Sequence, residues 1–184
     1  MFDLFSKLTV SDKTAELAKV LKELAKMEAY VGIPESKSSR NGGKVNNAQL
    51  MFIHTNGSPL KNIPKRPVIE PAIEAAENKK KIADYLAKSL KALLDGNVKQ
   101  GIQFLHRAGQ AGEQAARDWF FDPRNNWPPN KLATVRAKLR RKYKTKKGLD
   151  TAIDAYLSGT PGVDSTLIDT ADMRKSITHV IRER

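Results

Sequence analysis

The sequence predicts an α+β fold: a small antiparallel or mixed sheet, a long helical hairpin and extended loops. Three observations predict it. From Ser176 to Ile181 the side chains alternate, with Ile177, His179 and Ile181 on one side and Ser176, Thr178 and Val180 on the other. Alternation with β-branched residues favours a strand. A lone strand is not stable, and the best internal partner is Ala29-Tyr30-Val31-Gly32-Ile33, near the other end. Between the two, apolar residues recur at helical spacing over two long stretches separated by Gly96-Asn97. The ends are therefore expected to meet in one sheet with a helical mass inserted, and residues 1–184 read as a single domain.

In chain order, Ser11 to Met27 is expected to be a helix, with Leu17, Val20, Leu21, Leu24 and Met27 on one stripe and Ser11 or Asp12 as its cap. The period changes at Ala29, and Pro34 stops the strand. Glu35 to Asn46 is rich in Ser, Lys, Asn and Gly, offers almost nothing to bury, and is expected to be a mobile loop. A short helix over Asn47 to Thr55 ends at Asn56-Gly57, and Pro59, Pro64 and Pro67 hold Ser58 to Val68 extended. Glu70-Pro71 opens a helix whose apolar face runs from Ile73 to Leu94. Asn97 caps the next helix, Val98 to about Phe121, with Val98, Ile102, Leu105, Ala108, Gly112, Ala116, Trp119 and Phe120 inward. A Pro/Asn loop, Asp122 to Asn130, leads to a helix over Lys131 to Tyr143. After a break at Lys144 to Gly148, Leu149 to Leu157 reads as a short helix. Asp169 or Thr170 is expected to cap a last short helix before the final strand.

The formal net charge is +13, with a pI near 9.9. That balance favours a polyanionic partner: nucleic acid or an acidic protein surface, ahead of a membrane face. There is no cysteine, which excludes disulfides and thiol catalysis. Met1-Phe2-Asp3-Leu4-Phe5 lacks a basic region followed by an apolar run, so no signal peptide is expected. The longest pure apolar run, Leu50-Met51-Phe52-Ile53, cannot span a bilayer, and no membrane partner is expected.

Several segments occur in a telling order: Tyr30-Val31-Gly32-Ile33-Pro34; His54-Thr55-Asn56-Gly57; Ile63-Pro64-Lys65-Arg66-Pro67 before a long helix; Trp127-Pro128-Pro129 with Leu132-Ala133-Thr134-Val135; and Leu167-Ile168-Asp169-Thr170 with Met173-Arg174-Lys175-Ser176-Ile177. With gaps, this order over Met27 to Val180 resembles the tail-component and virion-morphogenesis proteins of tailed bacteriophages, which act at the neck or in tail completion. The Pro-x-Arg-Pro element of that family lands on Pro64, Arg66 and Pro67. Its Leu-Ile-Asp-Thr-Gly element lands on Leu167 to Thr170, with Ala171 where the family usually has Gly, and against that family the segment 144–165 reads as a long insertion. The resemblance implies a structural virion protein, a homo-oligomeric ring at the head–tail junction. Its partners would be other neck, connector or tail proteins and the DNA in the channel. The rival reading is a basic nucleic-acid-binding protein that is not part of a virion.

The densest charge runs from Lys131 to Lys147 without an acid. Arg136, Lys138, Arg140, Arg141 and Lys142 are its candidate contacts, with DNA phosphates or with an acidic neighbour. Lys37, Arg40 and Lys44 in the Gly-rich loop are candidates for subunit contact. So are Trp119, Phe121 and Trp127, although the aromatic cluster is equally explained as core. Gly109-Gln110-Ala111-Gly112 is better read as close helix packing than as a nucleotide-clamping loop. His54, His106 and His179 have no metal-ligand spacing, and Asp150/Asp154 and Asp169/Asp172 lack a third ligand and a base. No catalytic, cofactor or metal residue is assigned, and no enzymatic activity is expected.

Overall fold

The computed structural model describes residues 15, 18–19, 22, 26–40 and 45–183. The helix expected over Ser11 to Met27 lies largely outside these, although Ala15, Ala18, Lys19, Lys22 and Lys26 are helical. Lys44, Gly42 and Gly43 also fall outside. The fold is α+β. Its contacts divide it into two compact units rather than the one domain read from the sequence. The first holds the described residues up to Gly32, Ala72–Ala115 and those from Thr178 on; the second holds Ile33–Pro71 and Ala116–Ile177.

In the first unit, β1 (Met27–Gly32) pairs antiparallel with β2 (Thr178–Glu183), so the two terminal segments meet as expected. Val31 stands opposite His179, and Gly32 opposite Thr178. The expected helix from Glu70 to Leu94 is interrupted. Helix α1 (Asn47–Asn56) belongs to the second unit; α2 (Ile69–Glu74) comes next, and α3 (Ala76–Leu94) follows after Ala75 turns extended at ψ 129°. The Asn78 side chain donates to the Ala72 carbonyl at 2.8 Å and so caps a group the break leaves without a helical partner. Gly96, at φ +76°, reverses the chain, and the Asn97 side chain accepts from the Gln100 amide at 3.1 Å to start α4 (Val98–Asp118). Near this turn the two helices touch: buried Ser89 donates to the Gly101 carbonyl at 2.7 Å. Val98, expected inward, is exposed because it lies at the very tip of the hairpin.

The sheet rests on α4 through two glycines. A Cβ on Gly109 would stand 2.6 Å from the His179 ring, and one on Gly112 would stand 2.9 Å from Val31 Cγ2. The register partners His179 and Val31 thus lie over the same turn of helix, at positions that only glycine leaves open. Ala108, Ala111 and Ala115 are buried beside them. In a helix Ala is favoured over Gly by roughly 0.5–1 kcal/mol, while overpacking costs roughly 1–3 kcal/mol. Gly112→Ala is therefore expected to destabilise the first unit by about 1–2 kcal/mol net, and a urea midpoint that rose instead would mean Val31 has room to move.

The second unit is built around short helices. Helix α1 (Asn47–Asn56) opens on a capping box: the Asn46 side chain accepts from the Gln49 amide while the Gln49 side chain accepts from the Asn46 amide. The described part of the Gly-rich loop is anchored to it. Glu35–Lys37 form a turn of 3-10 helix, Ser38 is buried, and Asn47 donates to the Ser39 carbonyl at 3.1 Å. Ser58 to Val68 is not simply extended. Pro59–Lys61 coil into a 3-10 turn that brings Ser58 and Ile63 together as a bridge. Beyond α4 a 3-10 turn, Trp119–Phe121, leads to α5 (Leu132–Lys142) and α6 (Lys146–Leu157). Thr145 caps α6 by accepting from the Gly148 amide, so the helix restarts inside the expected break. Val135, Leu139 and Ala152 form a core between α5 and α6, with Leu149, Ile153, Tyr156 and Val163 against it.

The last short helix, α7 (Asp172–Ser176), is not capped by Asp169 or Thr170 as expected. Asp169 is drawn to Arg141, and Thr170 donates to Asp172 at 2.7 Å. The cap position is Ala171, at φ +63°, in the left-handed region. An L-residue with a Cβ pays about 1–2 kcal/mol there, which explains physically why glycine suits this place. Ala171→Gly is expected to stabilise the protein by roughly 1 kcal/mol despite the added freedom of the unfolded chain, read as a higher urea midpoint; a lower midpoint would show that the left-handed turn carries no strain.

Candidate anion-binding cleft

The second unit brings together two proline-bounded segments that are 60 residues apart. Arg66 sits between Lys65 and Pro67, so its backbone is restrained and its side chain leaves in a fixed direction. Its guanidinium is buried and donates from Nε and Nη2 to the Pro128 carbonyl, at 3.1 and 2.7 Å, and from Nη2 to the Pro129 carbonyl at 3.1 Å. In return Trp127 Nε1 donates to the Pro67 carbonyl at 3.1 Å. Prolines offer carbonyls but no N–H, so a side-chain fork is the natural way to satisfy such a loop. The Arg66 amide also donates to the His54 carbonyl at 2.6 Å, tying the segment to the end of α1.

Beside this clasp lies an open cleft of about 380 Å³. Arg40, His54, Lys61, Arg66, Lys131, Lys138 and Arg141 line it, against Asp169 alone among carboxylates. Burial, together with the cations Arg66 and Arg40, holds the His54 imidazole down to about 4, so it is neutral at pH 7. Its Nδ1 is enclosed without a hydrogen-bond partner. Burial also lowers the Arg66 pKa, and Asp164 opposes that shift. Two of the lining cations have internal partners. Lys138 meets Asp164 at 2.8 Å, with side chains 14% and 6% exposed, and also donates to the Ser165 carbonyl. Arg141 meets Asp169 at 2.5 Å. Arg40, Lys61 and Lys131 form no ion pair with a carboxylate among the described residues.

No family model, characterised protein or solved structure matches this chain.

The basic block from the sequence divides in three. Arg136, Arg140 and Lys142 are exposed on α5. Lys138 is a part of the fold, because a desolvated ammonium bound to two oxygens cannot be offered to a partner without breaking both bonds. Arg141 lines the cleft and is already paired. Of the loop candidates, Lys37 is exposed and Arg40 half-buried at the cleft, while Lys44 lies outside the described residues. Of the aromatic candidates, Trp119 is enclosed in the second unit and cannot serve as a contact. Trp127 is half-buried, holding Pro67 and meeting Phe120 edge to face. Phe121 is 61% exposed, with the Arg174 guanidinium 5.1 Å from its ring centre.

The sequence reading did not single out His54, Lys61, Arg66 and Lys131 together. The Pro-x-Arg-Pro pattern was the one signal that a cation there is held rigidly. Two histidines read as scattered also meet, in the first unit: His106 Nδ1 and His179 Nε2 lie 3.4 Å apart. His179 Nδ1 turns to Glu113 at 2.8 Å. No cluster of three or more metal-ligating side chains occurs among the described residues.

Proposed function

We propose that this chain is a structural virion protein of a tailed phage, a neck or tail-completion component that assembles as a ring at the head–tail junction. The observation that carries the reading is a line of exposed apolar side chains on the helical hairpin. Leu86, Leu90 and Leu94 follow one another at four-residue spacing on α3, and Val98 is exposed just past the turn; they are 43, 36, 46 and 55% exposed. Contiguous apolar surface of this kind marks a contact with another chain. A ring needs two different patches, one for each neighbour, and the second unit supplies exposed Phe52 and Leu60. The order of segments resembling the phage family adds the biological setting.

The second reading, a basic nucleic-acid-binding protein outside any virion, is favoured by the cleft. Mass measurement separates the two. The purified chain at tens of micromolar is expected to sediment as a closed oligomer, or to join one when mixed with tail or connector proteins. Leu90→Glu is expected to shift it to monomer, with its circular dichroism unchanged. A chain that stays monomeric at that concentration and binds no virion protein would overturn the ring.

A further inference from the structure

We propose that the cleft beside the Arg66 clasp is a phosphate site for a nucleic-acid backbone, with buried Arg66 and half-buried His54 as its wall and half-buried Arg40 and exposed Lys61 and Lys131 as its donors. The charge in the cleft is out of balance: three lining cations have no carboxylate partner among the described residues, and Arg66 is satisfied only by carbonyls. A group with several acceptor oxygens and a full negative charge would complement them, and charge-assisted bonds of this kind are about twice as strong as neutral ones. His54 lines the same wall and is neutral at pH 7, so its ring packs beside the cations without adding to their mutual repulsion.

The geometry also favours a strand over an isolated ion. A second hollow of about 390 Å³ shares Lys138, Arg141 and Asp169 with the first. Both are lined by residues of α5, and Lys142 adds a further cation to the second, where Asp164 and Asp169 are the carboxylates. Neither hollow is lined by Trp, Tyr or Phe. Bases would find nothing to stack on, so recognition falls on phosphates and is independent of sequence. The proposal does not depend on the ring: the cleft lies wholly within the second unit and the leucine line wholly within the first.

The test is the full chain titrated against a fluorescent 20-nucleotide DNA, single-stranded and duplex, over a range of salt. Lys61→Ala with Lys131→Ala removes two exposed donors and should leave the fold intact. The pair is expected to weaken binding about tenfold or more and to flatten the salt dependence by one to two phosphate contacts, about 0.9 each in slope for duplex. The His54 ring signals in nitrogen-edited NMR should move when the oligonucleotide is added. Leu90→Glu, tested in parallel, should retain binding. Unchanged affinity in the cleft pair, or a loss that Arg136→Ala with Arg140→Ala reproduces in full, would overturn the proposal. So would His54 signals that respond to inorganic phosphate but not to DNA, or tighter binding of an equally charged acidic peptide.

Discussion

Glu113→Ala is expected to destabilise the first unit by about 3 kcal/mol. One carboxylate oxygen of Glu113 accepts from three donors on the first two residues of β2: the Thr178 hydroxyl at 3.2 Å, the His179 amide at 3.1 Å and His179 Nδ1 at 2.8 Å. The Glu113 and His179 side chains are 16% and 14% exposed. Each enclosed donor left without an acceptor costs roughly 1–3 kcal/mol, and water entering the gap recovers part of that. Loss of the carboxylate also frees the His179 ring that Gly109 admits against α4, so sheet and hairpin should loosen together. Glu113→Gln keeps an acceptor oxygen of the same reach and should cost only about 1 kcal/mol, the charge-assisted part. Because the chain has two compact units, the global transition need not be two-state. Amide exchange at His179 and at its register partner Val31 is the better measurement. Exchange as slow in Glu113→Ala as in the parent would mean that β2 is held by its pairing with β1 alone.

The sheet was legible because its two strands announce themselves by alternation and because a lone strand demands a partner. The glycines of α4 were legible as close packing. That they receive His179 and Val31 was not, since the pairing register is set by tertiary contacts and not by either segment alone. The break at Ala75 and the left-handed turn at Ala171 were hidden for one reason: alanine is the strongest helix former and gives no warning of an extended or positive-φ backbone. The basic block was legible as charge only. Lys138 is withdrawn from the surface by Asp164, and Arg141 is occupied by Asp169. Those pairings join residues 26 and 28 positions apart, a distance over which one sequence carries no signal. The cleft is the extreme case, because its cations come from the Gly-rich loop, the turn after Pro59, the Pro-x-Arg-Pro segment and α5. Each looks ordinary in its own stretch of chain.

Arg66→Met is expected to destabilise the second unit by roughly 2–3 kcal/mol. Methionine fills much of the arginine volume and removes a charge that burial disfavours, so on desolvation alone the substitution should help. The carbonyls decide the sign. Pro128 and Pro129 lose three hydrogen bonds from the guanidinium, and no thioether can replace them. A carbonyl left without a donor costs roughly 1–3 kcal/mol when enclosed; Pro128 and Pro129 are exposed residues, so water recovers part of this, and the remainder still exceeds the relief from losing a charge already solvated by them. Arg66→Lys separates the two effects. It keeps the charge but not the fork, since a single ammonium cannot reproduce two Nη2 bonds and one Nε bond in a plane, and it should cost about 2 kcal/mol. The return bond from Trp127 Nε1 to the Pro67 carbonyl gives a second handle. Trp127→Phe alone should cost about 1 kcal/mol, and much less again in an Arg66→Met background, because the two bonds close the same pair of segments. Strictly additive costs in that double-mutant cycle would show that Arg66 and Trp127 act on their proline segments independently, and the clasp would then be two unrelated contacts.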